Sequence, residues 1–561
     1  MKKKLLDTIN ISSVFRYNRN QLLVCLISVS YALLLLSGVI STIIHKPKDT
    51  VNMMVGHYYE DYYEYLSFIK QGQEGNIFLQ NLFTSDDRSK LFIPWWSYSV
   101  IGLISLILPN NSTVYSYWFA SFILLSLTFI LTYKIVSVLM QNRAFPEKII
   151  TFLLIVFSSS FYLIKFTPKF EVLPFDYWFS QGSPFSRYNM GTPHHEFAQL
   201  IFLLSILLTI RIINVKNIWL KYGVFFVTLC VLFFCASSQL ILFSLAFISA
   251  YIVSINTNRE RVMSFNLFDS SRIIPYLFVF LAIAPIAYLI NKYFQSSPTY
   301  LSVRNWDITH YYYPSIAQFV QSFGPLFLLG LAGAYRYFAK LSFPRLFLFF
   351  ISFYTVFISL IPVNIAGTNI LSLIGIHNLR INTSVAYIFF GIGTVELFKM
   401  ISKKCIVFYA LAGILFLFYT LSFHIYWKQA VDLPRQSGYL QYMPKIMYDG
   451  IKTLEKDKSG KVVLASPKSS LGLAIPAISG HRVYFGRSIF TLDFDEKLRK
   501  ANKIYNFEID TKEVNKLLIE ENIGYVVVTF VDNDLASWNK RYPFLKPVYT
   551  NSNLTILAPS I

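Results

Sequence analysis

Three carboxylates fall within five residues in the stretch GHYYEDYYEYL, Gly56 to Leu66, where Glu60, Asp61 and Glu64 sit among five tyrosines and a histidine. A carboxylate held against aromatic rings and a low-dielectric wall is suited to act as a general base or to hold a divalent ion. On a helix, Glu60 and Glu64 share a face and Asp61 points roughly a third of a turn away. Asp61 is therefore expected at the mouth of a cavity, with Glu60 secondary and Glu64 directed to the surface. The same residues also fit a solvated, tyrosine-rich interfacial helix.

A second constellation is SPFSRYNMGTPHHEFAQLIF, Ser183 to Phe202. Pro184, Gly191 and Pro193 punctuate a loop, and His194, His195 and Glu196 then enter an apolar run, where ionisable groups are costly unless they line a cavity or pair. Histidine with glutamate is able to hold an acceptor hydroxyl, relay a proton or ligate a metal; helix capping by Glu196 is the plainer alternative. A third stretch, Ile365 to Ser384, places His377 and Arg380 at the start of a late apolar run. An arginine fork there matches a phosphate or a carboxylate in two-point fashion, or it snorkels to headgroups. Tyr300 to Pro314 adds Arg304, Asp307 and His310, a set that also reads as a plain polar loop.

The elements that must position these groups are membrane helices. The chain has 561 residues, 54% hydrophobic, 18% aromatic and 14% charged, which lies outside the range of ordinary soluble proteins. Runs such as Leu22 to Ile44 and Tyr115 to Met140 suffice to cross a hydrocarbon core of about 30 Å, and they are too long and too evenly apolar for barrel strands. The expected fold class is an all-α polytopic membrane protein of about 11 transmembrane helices with a small C-terminal α/β domain on the outer side.

The net charge of +20 sits in short loops between spans, which argues for orientation and lipid headgroups as its role and against nucleic acid. Cys25, Cys230, Cys235 and Cys405 show no paired spacing. The basic N-terminus is read as cytoplasmic, ahead of a retained first helix. The segment Leu91 to Pro109 is short, and only if it lies along the interface, or dips in and returns, do the later basic loops all fall inside. The remaining spans are then expected near 113–140, 148–165, 195–214, 218–236, 239–255, 273–294, 313–334, 345–363, 380–400 and 404–424. This organisation gives a transmembrane domain over 1–425, with interfacial helices in an outer loop at 45–112, and an extracytoplasmic domain over 426–561. In the latter, Lys461 to Pro467, Tyr525 to Phe530 and Asn553 to Ala558 read as strands, and Thr511 to Asn522 as a helix capped by its threonine.

Taken together these residues resemble the GT-C superfamily, multi-spanning glycosyltransferases that use sugars on polyprenyl phosphate or pyrophosphate. The acidic pair Glu60–Asp61 after the first span, the Gly-Asn stretch at Gly75 and the short apolar segment beginning near Pro94 match that family's first outer loop. His194–His195–Glu196 matches the place of its second motif, with Arg187 and Gly191 echoing the order in oligosaccharyltransferase-like members; histidines stand where an acidic residue is expected. Arg380 matches a late phosphate contact, and GHRVYFGRS, Gly480 to Ser488, is similar to the tail of bacterial members. The Trp-Trp-Asp acceptor motif of oligosaccharyltransferases is absent from the tail.

The resemblance implies an enzyme of the plasma membrane that takes a polyprenyl-phosphate-linked sugar and a glycan, lipid or protein acceptor, among membrane lipids and without nucleic acid. Asp61 with Glu60 would be catalytic, His194, His195 and Glu196 would serve the acceptor, and Arg380, His377 and Arg304 would bind the donor phosphate. No cofactor is certain; a divalent cation, Mg or Mn, is open, with Asp61, His195 and Glu196 as candidate ligands. A transporter or flippase for a lipid-linked saccharide, which should favour broken helices and mid-membrane charges, and a non-catalytic cell-envelope assembly protein are the alternatives.

Overall fold

In the computed structural model the described residues are 19–560, apart from 57, 87–89, 92–94, 108–111, 167–169, 175–191, 214, 260–280, scattered positions from 282 to 295, 310–313, 339–341, 362–363, 366–367, 370–375, 403 and 437. The first apolar run forms Arg19–Leu35 and, after Leu36, Ser37–Ile44, bent by 57°. One stripe of it, Val24, Tyr31 and Leu35, is buried, while Leu22, Leu26 and Leu33 face outward, as a lipid-facing surface requires.

Among the described residues, five helices are long and apolar enough to cross a membrane, or up to seven if each bent pair is one span. The five are Thr113–Leu139, Pro193–Ile212, Phe343–Leu360, Thr383–Ile401 and Cys405–Ile425. The protein is a membrane protein with a helical body. Trp96–Ser105 has ten residues, about 15 Å of helix and about half a hydrocarbon core.

Two expected spans are broken. The run expected over 148–165 ends as a helix, Phe145–Val156, after which Ser158, Ser159 and Ser160 are buried and Tyr162–Lys165 turns back as a strand paired with Glu171–Pro174. The run expected over 313–334 divides at Gly324 into Ile316–Phe323 and Pro325–Phe338, bent by 93°. Gly324 has φ 72°, and a Cβ there would lie 1.9 Å from the Ser159 carbonyl oxygen, so the two breaks pack backbone to backbone. The Phe161 amide also donates to the Gln321 carbonyl at 2.9 Å. Hydropathy reads both runs as continuous because neither break contains a charge.

Beyond the long last helix, Cys405–Gln436, the chain carries a four-stranded sheet. Its order is Leu545–Thr550, Leu554–Pro559, Ile523–Thr529, Val462–Ala465; only the last pair is parallel. Trp538, Tyr505 and Tyr542 fill its own core. The helix Thr511–Glu520 is capped by Asp510, whose side chain accepts from the Glu513 amide at 2.8 Å, so the cap precedes the expected threonine. Thr50–Asn52 pairs antiparallel with Tyr442–Pro444, which ties the first loop to the tail.

Candidate functional site

Glu60 and Asp61 occupy the first turn of the helix Tyr59–Gln73, near its positive end, with Lys70 in the last turn. The expected interfacial helix has one wet face; this one is buried without interruption from Tyr62 to Gly72. Trp96–Ser105 covers one side of it and the tail helix Leu471–Ser479 another. The tyrosines are anchors. Tyr62 donates to the Met53 carbonyl at 2.7 Å and Tyr63 to the Leu440 carbonyl at 2.7 Å, while Tyr65 stacks on Tyr98 with ring centroids 4.8 Å apart.

The Glu64 expectation is overturned. Its side chain is 1% exposed, against 31% for Asp61, and the two carboxylates share one guanidinium, that of Arg487, which pairs with both. Residues three apart lie side by side on a helix, so Asp61 and Glu64 form the pair that Arg487 holds, and Glu60 stands beside it. Burial raises the Glu60 carboxyl above the usual range, opposed by Arg487 and reinforced by Asp61.

Arg487 was missed at the sequence level although its stretch, Gly480 to Ser488, had been marked. Its partner Asp61 lies 426 positions away, and a lone arginine in a tail carries no spacing signal. The segment around it is pinned: Asn81 donates to the Phe490 carbonyl at 2.6 Å, Thr491 to the Phe83 carbonyl at 2.7 Å, and the Gly486 amide to Thr491 Oγ1 at 3.0 Å. The Arg487 guanidinium lies 5.2 Å from the Phe490 ring centroid.

The second motif comes to the same place. Glu196, in the first turn of Pro193–Ile212, is fully buried, and Ser121 donates within 2.7 and 2.6 Å of its two oxygens. His194 Nδ1 is hydrogen-bonded to the Tyr98 hydroxyl at 2.6 Å, and its ring lies 4.9 Å from Tyr65 and 4.0 Å from His195. Tyr65 and Tyr98 thus form an aromatic bridge from the acid helix to the His-His-Glu turn. Burial pushes the Tyr98 phenol well above its ordinary value, and Tyr65, Glu196 and Asp61 add to the effect. Both motif carboxylates act on one phenol.

His377 and Arg380 lie in the helix Ile376–Ile401, and their side chains are outside the described residues, as are Arg187, Gly191, Asp307 and His310. Arg304 is half-buried on Pro298–Thr309, a helix that meets the Arg487 segment: Ser302 donates to the Ile489 carbonyl at 3.0 Å, and Asn81 reaches Thr299 at 2.8 Å. A cavity of about 580 Å³ opens there, lined by Ser302, Trp306, Ser488, Thr491, Asp493 and Glu496. An apolar groove of about 520 Å³ runs between the first helix and Thr113–Leu139, lined by Leu36, Val39, Met54, Trp118 and Phe122.

Solved structures share this architecture. The apo oligosaccharyltransferase of Archaeoglobus fulgidus matches at TM-score 0.50 and 13% identity, over 91% of this chain and 69% of that one. AglB from the same organism, in complex with an inhibitory peptide and a dolichol-phosphate, matches at TM-score 0.50 and 12% identity over the same shares. The chain has a GT-C fold. ArnT of Cupriavidus metallidurans, bound to undecaprenyl phosphate, matches at TM-score 0.46 and 11% identity over 94% of this chain and 97% of that one. No family model and no curated protein matches the sequence.

A divalent ion, left open by the sequence, would draw its ligands from Asp61, His195 and Glu196. Among the described residues no three His, Cys, Asp or Glu side chains gather into a metal-binding group. Asp61 is engaged by Arg487, and the Glu196 carboxylate accepts from the Ser121 hydroxyl.

Proposed function

We propose that the protein is a membrane glycosyltransferase that moves a sugar from a polyprenyl-phosphate donor to an acceptor hydroxyl, with Asp61 as general base. The observation that carries this reading is the placement of Asp61: partly open, on an otherwise buried helix, locked by Arg487 and joined through Tyr65 and Tyr98 to His194 and Glu196. The fold shared with AglB in complex with a dolichol-phosphate supports a lipid-phosphate donor.

In the reaction the acceptor O–H gives its proton to Asp61 as the oxygen attacks the anomeric carbon. The bond from that carbon to the phosphate oxygen breaks, and phosphate leaves with the electron pair, inverting the centre. Arg380, His377 and Arg304 meet the charge that develops on the phosphate. His194, His195 and Glu196 orient the acceptor, and Glu60 assists the charge balance around Asp61. The apolar groove beside Met54 takes isoprenoid units of the donor. Residues 1–425 form the transmembrane catalytic domain and 426–561 an extracytoplasmic domain, with the N-terminus cytoplasmic and the site on the outer face.

The broken helices at Ser158–Ser160 and Gly324 favour a second reading, transport of a lipid-linked saccharide. Purified protein in proteoliposomes, supplied with a labelled polyprenyl-phosphate sugar and a hydroxyl acceptor, separates the two. Transfer predicts free polyprenyl phosphate and labelled acceptor; movement of intact donor between leaflets with no phosphate released would replace this proposal with the transport reading.

A further inference from the structure

We infer that Arg487, carried in from the C-terminal segment, is the cation of the catalytic centre: it holds Asp61 and Glu64 in place of a divalent metal, so that the site is complete only when the tail is docked. The inference rests on the proposed role of Asp61 and goes beyond it, because it assigns the site's counter-charge to the protein itself.

Three observations converge on it. Two carboxylates one helical turn apart would repel each other, and Glu64 is fully buried, so the pair requires a cation within the protein. Arg487 supplies it with its two terminal nitrogens, Nη2 to Asp61 and Nη1 to Glu64, the two-point use that a planar fork permits and an ammonium does not. The arginine is fixed before any substrate arrives, by its position over Phe490 and by two bonds that tie its segment to the first loop, from Asn81 to the Phe490 carbonyl and from Thr491 to the Phe83 carbonyl.

A metal would compete for the same oxygens. With Asp61 tied to the guanidinium and no third ligand gathered among the described residues, the arrangement neutralises the carboxylate pair without an exchangeable ion. Arg487 acts through Asp61 and is a positioning residue: it fixes the carboxylate oxygen that receives the acceptor proton. Loss of that fixation lowers the rate of the chemical step and leaves donor affinity nearly unchanged.

The test uses the full-length protein in lipid nanodiscs with a polyprenyl-phosphate sugar and an acceptor. Arg487→Gln leaves Glu64 buried without its cation and is open to misfolding, so the deciding variant is the double substitution Glu64→Gln with Arg487→Gln, which removes both charges together. The expected result is a fall in kcat of about 100-fold with donor KM changed less than about threefold. Millimolar guanidinium restores part of the rate in the double variant, which a purely structural role would not allow, and excess chelator leaves the native enzyme at full rate. A double variant with native kcat overturns the inference, as does native activity that is lost to chelator and recovered with Mg or Mn. Survival of activity in Asp61→Asn would instead refute the proposed function, so the two failures are distinguishable.

Discussion

At the residue scale, ionisable side chains stood out in the sequence wherever an apolar setting made them costly. Asp61 and Glu196 did so, and both lie at the aromatic bridge built by Tyr65 and Tyr98. Glu64 was misread because helical period alone pairs it with Glu60 and says nothing of the tail helix that covers it. Arg487 was illegible for a related reason, since a contact between residues 426 positions apart leaves no local pattern. The tail also carries a titrating group of its own. Burial pushes the His481 imidazole below its ordinary 6.5, against the pull of Asp457. The unfolded chain therefore takes up the proton first, and the stability of the neutral folded form is lost as pH falls from about 6.5 through the lowered folded value. Thermal unfolding of the native protein and of His481→Leu between neutral and mildly acidic pH should show the native Tm falling more steeply; parallel curves would contradict that.

At the element scale, the positions of the acidic residues depend on how closely two short helices approach. A Cβ at Gly102 would lie 2.2 Å from the Ile69 carbonyl oxygen, and one at Gly72 2.3 Å from that of Ser99. These glycines let Tyr59–Gln73 and Trp96–Ser105 pack backbone to backbone, with Gly72 in the last turn of its helix. Gly102→Val should push the helices apart and cost about 1–3 kcal/mol of stability, read as a lower Tm, with a loss of transfer activity at temperatures where the protein is still folded. Unchanged activity would mean that this contact does not set the site. Long, evenly apolar runs such as Thr113–Leu139 were legible from composition; the breaks at Ser158–Ser160 and Gly324 were not, because hydropathy averages over a corner made of small neutral residues.

At the scale of the whole molecule, the fold is a GT-C fold in which loop, membrane helices and tail meet around one helix. The strand pairing of Thr50–Asn52 with Tyr442–Pro444, the packing of Leu471–Ser479 on Tyr59–Gln73 and the reach of Arg487 all join the C-terminal part to the first loop. The helical class and the α/β character of the tail could be read from hydropathy and β-branched runs. Their mutual docking could not, since it depends on long-range shape and on polar pairs between distant segments, such as Lys497 Nζ with Asp86 at 2.6 Å. If the docked tail and loop place Asp61 beside an acceptor oxygen, as proposed, the deciding measurement is polyprenyl-phosphate release from a sugar donor by the native protein and by Asp61→Asn at equal expression. The account predicts release by the native protein and a loss of about 100-fold or more in the variant; equal rates of release would contradict it.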